Sequence, residues 1–350
     1  MNKIRLHQQF SIPLLAWFDL HGRKDLPWQL SRDAYKVWIS EIMLQQTQVQ
    51  TVIAYFNRFI KRFPTISDIA EAGEDEVLSL WSGLGYYSRA RNLHQTAKII
   101  TQHYQGHFPE DLTILMSLPG IGPSTAAAIL SLAFNQPTAI LDGNVKRVLA
   151  RYFLISGWPD QTAVKIVLWE RANSCMPKQR CADYTQAIMD LGALCCTSKN
   201  PDCHNCPLQN NCQAFSNREQ LQYPTKRHKK PVPIQQQQFL VLCNDLGEIY
   251  LEKRPPTGLW GGLWCLPSLD RDTCPLHYIQ LNFGLKGEDP KQLIAFKHCF
   301  SHFHLEINVL YIKTQPLKNK IAKSNGQWFV KANFTSLGLA KPTSLILSKI

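Results

Sequence analysis

Two hydrophobic periods divide the chain. From about Phe10 to Phe215 apolar side chains recur every three or four residues: Val49, Val52, Ile53, Phe56 and Ile60 form one stripe, Val77, Leu80, Trp81 and Leu84 another. That spacing belongs to helices with one buried face. Short turn signals interrupt it at Phe63-Pro64-Thr65, Leu118-Pro119-Gly120 and Ser156-Gly157-Trp158-Pro159. The pattern predicts a compact all-α domain over residues 1–222. The next stretch, YPTKRHKKPVPIQQQQ at 223–238, joins prolines, cations and glutamines and predicts an extended basic linker. From residue 239 the period turns strand-like in Phe239–Leu242, Ile249–Leu251, Phe303–Ile307, Val309–Ile312 and Trp328–Val330. A small α+β domain over 239–350 is expected there.

One carboxylate breaks the helical pattern. In VWISEIMLQQTQV, residues 37–49, Glu41 stands among Val37, Trp38, Ile39, Ile42, Met43 and Leu44 with no Lys or Arg near it in sequence. A desolvated, unpaired carboxylate answers by raising its pKa and holding its proton. It is either tolerated through hydrogen bonds or kept as an acid ready to donate.

The 350 residues suffice for two cores, and a hydrophobic share of 45% marks a globular chain. Lys and Arg exceed Asp and Glu by 38 to 26, a balance that suits a polyanionic partner. No apolar run is long enough to span a bilayer, and the start lacks a cleavage-site pattern. Eleven cysteines without a secretory signal argue against a disulfide framework and for a metal site plus buried thiols. The cytoplasm is the expected compartment.

Four of those cysteines crowd into CTSKNPDCHNCPLQNNC, where Cys196, Cys203, Cys206 and Cys212 form C-x6-C-x2-C-x5-C. Zinc loops usually present two short C-x2-C pairs, and here there is one. The longer gaps fit a cuboidal iron–sulfur cluster better, although spacing alone leaves zinc open. Cys195 is an adjacent competing thiol. Upstream, LPGIGPSTAAAIL at 118–130 reads as a turn followed by a helix start. Gly120 and Gly122 permit a tight bend, Ser124 or Thr125 opens the helix, and the free amides suit a DNA phosphate. In ILDGNVKRVLARYF, Asp142 precedes a helix, where capping is the ordinary role. Because it follows the phosphate-binding helix directly, it is expected near bound backbone.

These stretches carry a resemblance. The cysteine spacing is similar to the iron–sulfur loop of the endonuclease III superfamily of DNA glycosylases, and L-P-G-x-G-x-x-T-A resembles its helix–hairpin–helix motif. SEIMLQQTQV and LDGNVKRV resemble the MutY branch, the adenine DNA glycosylases. The resemblance implies a [4Fe–4S] cluster on Cys196, Cys203, Cys206 and Cys212. It implies that Glu41 protonates adenine at a ring nitrogen and activates water, that Asp142 stabilises or traps the sugar cation, and that Asn144 orients the pair. Breaking an N-glycosidic bond leaves positive charge on the sugar and negative charge on the base, so a neutral acid and an ionised carboxylate meet the two needs. Glu41 is expected to stay protonated in its apolar surroundings, and Asp142, beside a helix start and open to DNA, to stay charged. Gln46 and Tyr86 match residues that wedge into the duplex around the orphaned partner base, with Arg89 and Arg91 expected to serve the phosphate backbone.

Ser124 stands where bifunctional relatives carry lysine, and serine forms no Schiff base, which implies base hydrolysis without efficient strand cleavage. Lys146 leaves a weak side reaction open. Residues 239–350 resemble the family's lesion-recognition domain, itself shaped like Nudix hydrolases. After GLWGGLWCLPS the run LDRDTCPLHYIQ lacks the glutamates that hold magnesium, so a binding role is implied. Phe300, Ser301 and His302 match a loop that reads 8-oxoguanine opposite adenine. The implied partner is duplex DNA with A·8-oxoG or A·G mispairs, no membrane is involved, and a monomer is expected. Two positions depart: Ala34 where proline is expected before YKVW, and Gln29 after DLPW where arginine is frequent. Three other readings compete, one of them a redox protein using the cluster for electron transfer, which no flavin or nicotinamide fingerprint supports. A bifunctional pyrimidine-damage glycosylase-lyase is opposed by Ser124, and a non-catalytic DNA-binding relative is opposed by the presence of Glu41 and Asp142.

Overall fold

Asp33 starts the helix that matters most. Its carboxylate accepts from the amides of Tyr35 at 2.7 Å and Lys36 at 3.2 Å, capping Ala34–Leu44. Trp38, Ile39 and Met43 on that helix are fully buried. It packs against Val49–Arg62 and against Pro123–Phe134. Ala126, Ala127 and Ala128 on the last of these are buried and small enough for close approach. The Pro123–Phe134 helix also meets Cys181–Asp190, which in turn packs on Ile12–His21. Cys181–Asp190 runs on through a π-helical turn, Leu191–Cys195, into the cysteine loop. Phe10, Leu14, Val145, Leu149 and Leu191 belong to the core between these elements.

A computed structural model describes residues 6–227, 231–300, 302–317 and 326–350. The chain forms two compact units, Met1–Glu71 with Asn92–His228, and Ala72–Arg91 with Lys229–Ile350. The grouping differs from the expected boundary, which put 72–91 in the helical domain. Val77, Leu78 and Trp81 of the Glu74–Trp81 helix are buried. Leu78 lies so close to Gly338 that a Cβ there would come within 2.7 Å of its own Cβ. The Tyr87 hydroxyl donates to the Leu339 carbonyl at 3.4 Å, and Lys253 pairs with Asp75 at 2.9 Å. Periodicity specifies that a helix has a buried face, not which core covers it.

Among the described residues the second unit is built on a mixed sheet of eight strands: β1 Ile234–Cys243, β2 Ile249–Lys253, β3 Trp264–Cys265, β4 Ser268–Asp270, β5 Leu285–Gly287, β6 Lys291–Cys299, β7 His304–Pro316 and β8 Gly326–Phe329. The order β3-β2-β1-β7-β5 forms its spine, with β4 on β1, β6 on β7 and β8 on β2. β1 and β7 run parallel, from Ile234 opposite His304 to Cys243 opposite Lys313. Phe239, Val241, Leu305, Ile307 and Val309 share one core with Ile346 and Leu347 of the Lys341–Leu347 helix. Leu240, Leu242 and Ile312 share another with Ile279 and Phe283 of the Pro275–Phe283 helix. Each core thus takes a helix.

Strand β1 starts inside the segment expected to be a linker. Gln235–Gln238 pair with Leu305–Asn308, and Gln236 donates to Glu306 at 2.8 Å. Glutamine has no strong strand preference of its own, so a neighbouring strand decides its state. Among the described residues, no helix is long and apolar enough to cross a membrane.

Candidate active site

Glu41, near the end of the Ala34–Leu44 helix, faces a cavity of about 600 Å³ within the helical unit. Phe18, Leu26, Trp28 and Met189 supply apolar wall, and Gln29, Ser124, Thr125, Asp142, Asn144 and Gln186 supply polar groups. Burial, and after it the charge of Asp142, pushes the Glu41 carboxyl up to about 8. No cation offsets that rise among the described residues. The sequence expectation of a protonated acid in an apolar stretch agrees with this direction.

Asp142 both caps and faces the cavity. One carboxylate oxygen accepts from the Val145 amide at 2.7 Å, starting the helix Gly143–Tyr152, and the other accepts from Asn144 Nδ2 at 3.2 Å. The expectation that it stays charged beside the helix start meets an opposing influence. It is half-buried, and burial pushes its carboxyl upward, opposed by the Val145 amide, the Arg147 charge and the Asn144 donors. Desolvation outweighs the helix start in the free protein. The Asp142 charge contributes to the Glu41 shift, whereas the influences on Asp142 are burial against donors.

Behind Asp142 runs a polar chain that sequence reading missed. Arg147 donates to Asn144 Oδ1 at 2.8 Å, to the Gly192 carbonyl at 2.7 Å and to the Cys196 carbonyl at 2.7 Å. Asn144 thus has its oxygen fixed by Arg147 and its nitrogen turned to Asp142. Gly192 must be glycine for this approach, since a Cβ would sit 2.5 Å from Asn144 Cβ. Arg147 ties the carboxylate to the first residue of the cysteine loop. Gln29 was also undervalued. Both its carboxamide atoms are buried without a partner while it lines the Glu41 cavity.

The hairpin is formed by Leu112–Ser117 and Pro123–Phe134. Gly120 has φ +76, and a Cβ there would come within 2.8 Å of Asn92 Cβ, so only glycine fits. Gly122 caps the second helix with open space around it. Ser124 accepts the Leu141 amide at 3.1 Å, and buried Thr125 accepts from Gln45 at 3.4 Å. These two hydroxyls brace the hairpin against the residues flanking the carboxylates. Lys146 pairs with Asp160 at 2.5 Å.

Gln46 and Tyr86, the residues matched to duplex wedges, are both exposed and both adopt left-handed backbone, with φ 58 and 49. Non-glycine residues held there store strain, and such strain gathers at functional sites. Arg89 and Arg91 are engaged within the protein. Arg89 is buried, donates to the Leu84 and Gly85 carbonyls and lies 5.5 Å over the Tyr86 ring, while Arg91 donates to the Gly261 carbonyl. In the free protein they buttress the Tyr86 loop.

Cys196, Cys203, Cys206 and Cys212 line one small cavity with Arg151. The buried Arg151 guanidinium reaches Cys196 Sγ at 3.3 Å and the Thr197 carbonyl at 2.7 Å. No three His, Cys, Asp or Glu side chains among the described residues converge closely enough for a single ion. Four soft donors around one cavity, with an arginine beside them, are a donor set that fits an iron–sulfur cluster. Cys195 donates to the Asp202 carbonyl at 3.1 Å. In the second unit, Phe300 is stacked on Phe303 at 4.4 Å and flanked by Trp260 and His298. His302 is exposed, and Ser301 lies outside the described residues.

A carboxylate pair in a nucleoside-sized cavity beside a helical hairpin is the equipment of a base-excision DNA glycosylase. A model of the HhH-GPD superfamily of base excision DNA repair proteins matches residues 39–174, and a NUDIX domain model matches 238–349. An adenine DNA glycosylase of Buchnera aphidicola subsp. Schizaphis graminum is 40% identical over 339 residues, covering 97% of each chain. That of Mus musculus is 33% identical, covering 95% of this chain and 76% of the mouse one. The chain belongs to the adenine DNA glycosylase family. Among solved structures, a thermostable thymine-DNA glycosylase aligns with TM-score 0.56 at 28% identity, over 61% of this chain and 98% of its own. Endonuclease III in a non-covalent complex with DNA shares the fold with TM-score 0.52 at 22% identity, over 62% and 98%.

Proposed function

We propose that the protein, acting as a monomer, hydrolyses the bond between adenine and deoxyribose where adenine is mispaired with 8-oxoguanine or guanine in duplex DNA, and leaves the strand intact. The reading rests above all on Glu41 and Asp142 facing one cavity. Adenine leaves the stack and enters that cavity. Neutral Glu41 gives its proton to a ring nitrogen, and the C1′–N bond breaks with its electron pair leaving on the base. The Asp142 carboxylate meets the cation forming on the sugar. Water then adds to C1′ and returns a proton to the Glu41 carboxylate, which restores the enzyme.

Gln29 supports the choice of adenine. A carboxamide with an idle donor and an idle acceptor matches the exocyclic amino group and the ring nitrogen beside it. Ser124 supports the monofunctional reading, because its hydroxyl already accepts an amide and no lysine replaces it. The Gly120–Gly122 turn would hold a phosphate, Gln46 and Tyr86 would fill the vacated stack, and the Phe300–His302 loop would read the partner base. Cys196, Cys203, Cys206 and Cys212 would hold a [4Fe–4S] cluster, which when bound supplies a rigid brace for the loop that Arg147 ties to Asn144.

Incubation with duplexes carrying A·8-oxoG, A·G or A·T tests the reading. Free adenine and an alkali-labile strand from the first two, with no cleavage before alkali, are expected. Cluster-loaded protein that releases no adenine would refute it.

A further inference from the structure

Gln220 follows the cysteine loop, just beyond the short helix Gln213–Ser216, and lines the same small cavity as Cys196, Cys203, Cys206 and Cys212. Its Oε1 atom is buried and has no partner. A buried acceptor without a donor is costly, and iron-bound thiolates and sulfides offer it none, being acceptors themselves. Turning the amide over is nearly isosteric and puts the NH₂ group inside. The oxygen then faces outward, where water satisfies it.

Resting on the cluster reading above, we infer that Gln220 donates an N–H···S hydrogen bond to the iron–sulfur cluster and protects the cluster from oxidative loss. Arg151 donates to Cys196 Sγ from the Gly143–Tyr152 helix, and Gln220 would add a neutral side-chain donor from a different part of the chain. Hydrogen bonds to its sulfurs are one lever on how readily a cluster gives up an electron. Removing one leaves more electron density on the sulfurs and makes the cluster easier to oxidise.

The test compares full-length, cluster-loaded wild type with Gln220→Met, similar in length but without donors, and Gln220→Glu, similar in shape but an anionic acceptor. Each is exposed to ferricyanide while the cluster's visible absorption and its iron and sulfide content are followed. Gln220→Met is expected to lose its cluster about tenfold faster than wild type, and Gln220→Glu faster still. Equal rates for all three, at full loading, would overturn the donor while leaving the cofactor standing. Wild type that takes up zinc and no sulfide would overturn both. If Gln220→Met fails to load, Gln220→Glu alone carries the comparison, and a rate equal to wild type counts against the donor.

Discussion

Glu41→Gln should make the protein more stable and catalytically dead at once. Glutamine fills the same volume but needs no proton to be neutral. The ordinary glutamate value is 4.5 and burial raises it to about 8 here. Between those two pH values the folded state holds a proton that the unfolded chain has released, so stability falls as pH rises through that window. At pH 7 the penalty is about 3 kcal/mol, and it approaches about 5 kcal/mol above pH 8. Below pH 4.5 both states are protonated and it vanishes. The variant escapes it. Thermal unfolding of the helical unit should therefore rise by about 6–12 °C at pH 7, with little change near pH 4. Adenine release should fall by about 10³-fold, while affinity for the uncleaved duplex changes little. In wild type the rate should drop about tenfold per pH unit above 8, as the proton is lost. A variant that melts no higher than wild type at pH 7–8 would show that Glu41 sits comfortably ionised, and the acid role would fail with it.

Other substitutions probe separate parts of the site. Asp142→Asn keeps a capping side chain and removes the charge, so circular dichroism should be unchanged while single-turnover adenine release drops by at least about 10²-fold. Gly120→Ala meets both a φ of +76 and Asn92. It should destabilise by about 1–3 kcal/mol in thermal melts and weaken duplex binding by the same factor for matched and mispaired sequences. Gln29→Leu removes two unpaired buried atoms and should leave melting unchanged or higher. Its preference for adenine over purine lacking the amino group should fall by about tenfold, measured as a ratio of kcat/KM.

Local chemistry was legible in the sequence and long-range contact was not. Glu41 declared itself because a carboxylate inside VWISEIML has to be neutral or paired, and that argument needs only neighbours along the helix. Gly120 was similarly plain, since the turn requires a left-handed residue. The capping geometry of Asp142 was legible as its ordinary role before a helix, but its electrostatics depend on how deeply the fold buries it. Arg147 illustrates the limit. Asn144 and Arg147 stand three residues apart on one helix, which the sequence shows, yet their purpose comes from Gly192 and Cys196, far along the chain. Gln29 was noticed only as a departure. That both its polar atoms lack partners is a property of the folded cavity. Gln235–Gln238 were assigned to the linker because a polar tract does not name the strand that pairs with it; Ala72–Arg91 lie within the residues the base-excision family model matches, yet group by contact with Lys229–Ile350, which an amphipathic stripe does not announce.

The raised pKa of Asp142 in the free protein sharpens the division of labour. A buried carboxylate is held up by desolvation, and its charge becomes favourable in proportion to whatever cation approaches it. In the proposed reaction the deoxyribose would be that cation. A unit positive charge about 4 Å away at an effective dielectric near 20 is worth about 4 kcal/mol, or about three pKa units. On that proposal Asp142 would be a better anion during bond cleavage than at rest, and its stabilisation would be selective for the transition state rather than for bound adenine. Asn144, held by Arg147, cannot swing away while that charge develops, so its hydrogen bond to Asp142 costs no reorganisation at the moment of reaction. The consequence can be measured by severing the support. Arg147→Met should lower the single-turnover rate by about tenfold or more while the affinity for duplex DNA stays within about twofold. Equal losses in both would mean that Arg147 holds up the fold rather than the carboxylate.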